Sequence, residues 1–122
     1  MELGYALSSE EHQPKRLVEQ ARRAEEAGFR FALISDHFHP WTDRQGQSPF
    51  VWSVIGGIAQ TTSTLRLGTG VTCPLIRTHP AIIAQAAATC ASMLDGGAPT
   101  KPCPGWSPGA PMAPARRASS FR

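Results

Sequence analysis

Residues 31–41 read FALISDHFHPW. Phe31–Ile34 is a short apolar run with a β-branched end, and it stops at once in Ser35, Asp36, His37, His39 and Trp41. Four residues apolar on both faces are the pattern of a strand buried within a parallel sheet. In parallel α/β folds, the loops after the carboxyl ends of strands form the ligand crevice. A carboxylate, two imidazoles and an indole crowded behind such a strand therefore mark the candidate site.

The same reading extends outward in both directions. Glu2–Leu7 is a strand candidate. Pro14 suits the first position of a helix, where its missing N–H costs nothing. Leu17, Val18, Ala21 and Ala24 follow at helical spacing, and Gly28 supplies the left-handed residue that commonly closes a helix. Beyond the central stretch, Ser48-Pro49 reads as a cap and first turn for a helix turning Phe50, Val51, Val54, Ile55 and Ile58 inward. Leu65–Val71 is the third strand. A third helix starts near His79-Pro80 and buries Ile82, Ile83, Ala86, Ala87, Cys90 and Met93. Strand–helix alternation repeated three times predicts βαβ units and an α/β parallel sheet over residues 1–95. An open doubly wound sheet and an incomplete barrel both satisfy that pattern. The turn after the first strand reads SSEEHQ, without the GxGxxG phosphate cradle of a dinucleotide-binding fold.

At Gly96 the pattern ends. Ten of the 27 residues in 96–122 are Gly or Pro, too few apolar groups survive to offset ordering entropy, and a disordered tail is expected. Charge divides at the same place. Residues 1–95 hold eight Lys/Arg and nine Asp/Glu, whereas 96–122 hold four basic and no acidic side chains. The overall +3 thus belongs to the tail, and no basic stripe lies on a patterned element to suit nucleic acid. The N-terminus lacks the layout of a secretory signal, no run is long enough to span a bilayer, and three scattered cysteines point to a reducing cytoplasm.

If strands two and three are neighbours, Asp36, His37 and Trp41 share a rim with Gly70, Val71, Thr72 and Cys73, and strand one adds Ser8 and Ser9. Each has a plainer alternative. Asp36 caps turns well, His37 can be a satisfied structural imidazole, and Trp41 can anchor its loop. His39 alternates with His37 and should point elsewhere. An H-x-H metal site lacks a further ligand cluster, so no metal is expected. Cys73, with no assignable histidine, reads as a small buried hydrophobe.

The stretch LGYALSSEEHQPKRLVEQARRAEEAGFRFALISDHFHPW (3–41), then LRLGTGV (65–71) and RTHPAIIAQAAAT (77–89), resembles the luciferase-like oxidoreductases. It is most similar to their branch that uses the deazaflavin coenzyme F420 and includes the glucose-6-phosphate dehydrogenases of actinobacteria. The resemblance implies the first three βα units of a TIM (β/α)8 barrel. By that likeness Asp36, Gly70, Val71 and Cys73 contact the coenzyme, with Gly70 and Val71 joined by a cis peptide and Cys73 standing where the relatives carry threonine. His37 and Trp41 would flank the site of hydride transfer, His37 taking the hydroxyl proton of an alcohol or sugar-phosphate substrate. A homodimer is implied by the relatives. A flavin-mononucleotide monooxygenase of the same superfamily and a non-catalytic fragment are the alternatives. The family continues past Asp95 into a fourth strand and a catalytic glutamate. This chain instead enters GAPTKPCPGWSPGAPMAPARRASSFR, a composition like a GC-rich gene read in a shifted frame.

Overall fold

A computed structural model describes residues 3–94. The tail expected over 96–122, and the start of the first strand at Glu2, lie outside the described residues. The elements run β1 (Tyr5–Leu7), α1 (Pro14–Glu26), β2 (Phe31–Ile34), α2 (Val51–Ala59), β3 (Arg66–Thr69) and α3 (Pro80–Met93). The three strands form one parallel sheet in the order β1-β2-β3. Tyr5–Leu7 pairs with Ala32–Ile34, and Phe31–Ile34 with Arg66–Thr69. All three carboxyl ends therefore open on one rim.

Local chemistry explains the element ends. Pro14 begins α1, where a residue without an N–H is tolerated. After Glu26 the chain turns through Gly28 at φ +91°. There the Gly28 N–H donates to the Glu25 carbonyl at 2.9 Å and the Phe29 N–H to Ala24 at 3.0 Å, the paired bonds that satisfy a helix's last carbonyls. His79 caps α3 by accepting the Ala81 N–H on Nδ1 at 3.2 Å.

The core lies between one sheet face and the helices. Leu7, Ala32, Ile34, Leu65 and Leu67 meet Leu17, Ala21, Val51, Val54, Ile55 and Ile58. Helix α1 packs on α2, and α2 on α3. The opposite sheet face is open, so Leu33 is 45% exposed although the strand reads as apolar on both sides. That is the first departure from expectation: three strands carry helices on one face only.

Others follow from packing. Helix α2 starts at Val51, not at Pro49, and its cap position is Phe50. The Ser48 hydroxyl goes instead to the His37 carbonyl, which leaves Phe50 outside the helix and exposed. Strand β3 ends at Thr69, short of Val71. Of the six α3 residues expected inside, only Cys90 is fully buried and Ile82 is exposed. Among the described helices α3 has α2 alone to pack against, so most of its apolar surface stays uncovered.

Candidate functional site

Hydrogen bonds knit the first two strands at their carboxyl ends. Just past β1, the Ser9 N–H donates to the Ser35 hydroxyl oxygen at 2.9 Å, and the Ser9 hydroxyl donates to the Ser35 carbonyl at 2.5 Å. Beside them sits Glu10, only 3% exposed. Its carboxylate accepts from the Ser35 hydroxyl at 2.7 Å, from Ser8 at 3.2 Å and from His37 Nδ1. Burial alone would raise the Glu10 pKa. The hydrogen bond from Ser35, the local backbone bond, and the bond and charge of His37 outweigh it, and the carboxyl is held below the usual glutamate value.

Glu10 in turn fixes His37. An imidazole that donates Nδ1–H to a carboxylate carries its lone pair on Nε2, the arrangement of an oriented proton acceptor. The ring is part-exposed, and the Trp41 indole packs edge-on against it with centroids 5.2 Å apart at 82°. Trp41 itself is 75% exposed, and its backbone N–H donates to the Gln45 side-chain oxygen at 2.8 Å. A cavity of about 270 Å³ lies between His37, Phe50 and Arg77.

Asp36 has different partners. Its side chain is 1% exposed, with one oxygen accepting from the Thr72 hydroxyl at 2.7 Å and the other from the Arg77 guanidinium. It thereby joins the end of β2 to the segment after β3. That segment begins with the Gly70 N–H donating to the Ile34 carbonyl at 2.8 Å, followed by a cis Gly70–Val71 peptide. Val71 is exposed. A Cβ built on Gly68 or Gly70 would meet only Leu33, at 3.0 and 3.6 Å. Leu33 and Val71 are thus exposed apolar side chains on either side of Gly70, whose backbone carries no side chain.

The structure brings Asp36, His37, Trp41, Gly70 and Val71 to one rim. Cys73 departs from the expectation of a buried hydrophobe, because it is exposed. His39 stands apart as expected, exposed and packed against Phe38 at 4.5 Å. Sequence reasoning missed Glu10 and Arg77. Glu10 stood inside SSEEHQ, a stretch tested only for glycines. Its place three residues past β1, level with Asp36 two residues past β2, was the signal available.

The chain belongs to the luciferase-like monooxygenase family, whose model matches residues 1–99. It is 46% identical over 94 residues to an F420-dependent hydroxymycolic acid dehydrogenase of Mycobacterium tuberculosis, covering 77% of this chain and 26% of that protein. To an F420-dependent glucose-6-phosphate dehydrogenase of Segniliparus rotundus it is 41% identical over 96 residues, covering 79% and 29%. Among solved structures, an F420-dependent secondary alcohol dehydrogenase holding an F420-acetone adduct superposes with a TM-score of 0.74 at 41% identity, over 78% of this chain and 29% of that one. The chain spans a little over a quarter of each relative's length. Its three units correspond to the opening units of their TIM barrel.

The residues present suit a flat, part-polar ring. The open sheet face offers Leu33, Val71 and the exposed backbone at Gly70 as an apolar wall. The part-exposed imidazole of His37 lies on the same rim, while Asp36 and Thr72 are buried and bonded to each other.

Proposed function

We propose that this chain carries the opening part of a deazaflavin site in an F420-dependent oxidoreductase acting on an alcohol-type small molecule. One observation carries the reading: buried Glu10 orients His37 at the carboxyl ends of adjacent parallel strands, beside an apolar sheet face. When bound, the coenzyme supplies the hydride acceptor and the protein supplies alignment and field. Gly70, Val71 and Leu33 would hold the ring, Asp36 fixes the segment that carries Val71, and Cys73 would border the same site. His37 Nε2 takes the hydroxyl proton of the substrate, with Glu10 stabilising the imidazolium that results. Trp41 walls the substrate side. A homodimer, as the family resemblance implies, and the reducing cytoplasm expected from the scattered cysteines fit the reading, with neither nucleic acid nor membrane as partner.

Residues beyond the three units must complete such a site, since they close the barrel and select the substrate. The isolated 122-residue chain is accordingly expected to bind coenzyme and to turn over weakly or not at all. The test is tryptophan quenching on titration with F420 and, separately, with flavin mononucleotide. Saturable quenching by F420, weakened by His37→Ala and Trp41→Phe, supports the proposal. Equal or tighter response to flavin mononucleotide transfers the site to the monooxygenase branch, and no response to either leaves a fragment without a site.

A further inference from the structure

We infer that Arg77 is a positioning residue that acts through Asp36, locking the segment after β3 onto the end of β2 and so setting Val71 against the bound ring. The inference rests on the coenzyme reading above. Its basis is how residues 70–79 are held. Gly70 is tied by its N–H to Ile34, the last residue of β2. From there to the start of α3 the chain runs over the surface, with Leu75 and Ile76 exposed at 85% and 87%. Two side chains of this segment reach back, Thr72 near its start and Arg77 near its end, and both reach the one carboxylate of Asp36.

The chemistry of that carboxylate makes it a latch. Asp36 is buried to within 1% at its side chain, and a buried carboxylate is tolerated only when its charge is compensated and its oxygens are hydrogen-bonded. Arg77 supplies the compensating charge and Thr72 the second bond. Take Arg77 away and the carboxylate must draw water in, take up a proton or release the loop. Release of the loop shifts Val71 without touching Val71, and so loosens the apolar wall. Arg77 also borders the cavity beside His37, so direct contact with a ligand is the competing account. The two accounts differ in whether Arg77 still matters once Asp36 has lost its charge.

The experiment is a double-mutant cycle of Arg77→Met and Asp36→Asn on the full chain, with Arg77→Lys as the conservative variant. Two quantities are read: F420 affinity by tryptophan quenching, and amide hydrogen exchange across residues 70–78 without coenzyme. Positioning through Asp36 predicts that Arg77→Met weakens affinity about tenfold and speeds exchange in 70–78. It further predicts that the double variant is no worse than Asp36→Asn in either quantity, and that Arg77→Lys recovers part of both. Additive losses in the double variant, or unchanged exchange in Arg77→Met, overturn it. If the wild-type chain binds no coenzyme, the function proposed above fails, and exchange alone then decides the latch. Non-additive acceleration upholds it, and additive or absent acceleration ends it.

Discussion

Two glutamates hold opposite rims of this sheet, and they do so with different donors. At the amino end, Glu25 reaches from the last turn of α1 to the turn before β3. Its carboxylate accepts the backbone N–H of Ser63 at 3.0 Å, of Thr64 at 2.5 Å and of Leu65 at 2.8 Å, with the Thr64 hydroxyl at 2.9 Å. At the carboxyl end, Glu10 accepts from side chains of Ser8, Ser35 and His37. Both carboxyls are held below the usual glutamate value because these bonds outweigh burial. Backbone amides cannot exchange protons with a substrate, whereas an imidazole can. The amino-end rim is therefore a fastening, and the carboxyl-end rim is a similar fastening that includes a titratable imidazole.

The largest effect should come from removing the fastening alone. Glu25→Ala strips the acceptor from three backbone N–H groups. Ser63 and Thr64 are exposed and can turn to water, while Leu65 is buried. A loss of about 2 kcal/mol is expected, read as a melting midpoint lower by roughly 10 °C for a domain of this size. F420 affinity, measured well below the transition, should not change. A parallel fall in affinity would erase the distinction between the rims.

A smaller effect is expected from Glu10→Gln, which keeps an acceptor for Ser35 but removes the charge facing His37. It should cost about 1 kcal/mol of stability. Combined with His37→Ala, the two losses should fall short of their sum by about 1 kcal/mol. Additive losses would mean that Glu10 and His37 do not act together, and the carboxyl-end rim would lose its claim to chemistry.

Acid titration sharpens the same contrast. For each glutamate the folded-state pKa lies below the unfolded one, so its contribution is complete above the ordinary glutamate range and is lost as pH falls through the lower, folded value. The melting midpoint should accordingly be flat near neutrality and drop in acid. Replacing Glu25 by Gln should make that drop shallower. An unchanged acid limb in Glu25→Gln would show that the amino-end carboxylate carries no such linkage.

How far these rims could be read from sequence depends on what each residue answers to. Phe31–Ile34 was legible to the residue, because a short apolar run cut off by Ser35-Asp36 suits a buried strand and is too short for a core helix. Pro14, Gly28 and His79-Pro80 marked helix ends through backbone chemistry that acts locally. Phe50 and the apolar positions of α3 were misread for the opposite reason. Periodicity tells which face of a helix is apolar, but whether anything covers that face is decided by neighbours. Glu10 was hidden by a third cause. In SSEEHQ, Glu10 and Glu11 are the same residue type side by side, yet one is buried against His37 and the other faces solvent. Only the fold, by bringing position 37 over position 10, separates them.

Ser48 provides the finest cut between fastening and chemistry. Its pattern with Pro49 suggested a helix cap, and its hydroxyl serves the His37 carbonyl instead. The bond anchors the backbone of the proposed proton acceptor, while Gln47 ties its own N–H to the Glu10 carbonyl at 3.0 Å. One short segment, Gln47-Ser48, thus braces both halves of the Glu10–His37 pair. Ser48→Ala removes a single part-buried hydrogen bond and should cost about 0.5–1 kcal/mol, the smallest of these effects. Coupling should nevertheless appear with Glu10→Gln and be absent with Glu25→Ala, because Gln47-Ser48 is bonded to both Glu10 and His37 whereas Glu25 sits at the opposite end of the sheet. Equal coupling to both would make the whole sheet one cooperative fastening, with no separate site at either rim.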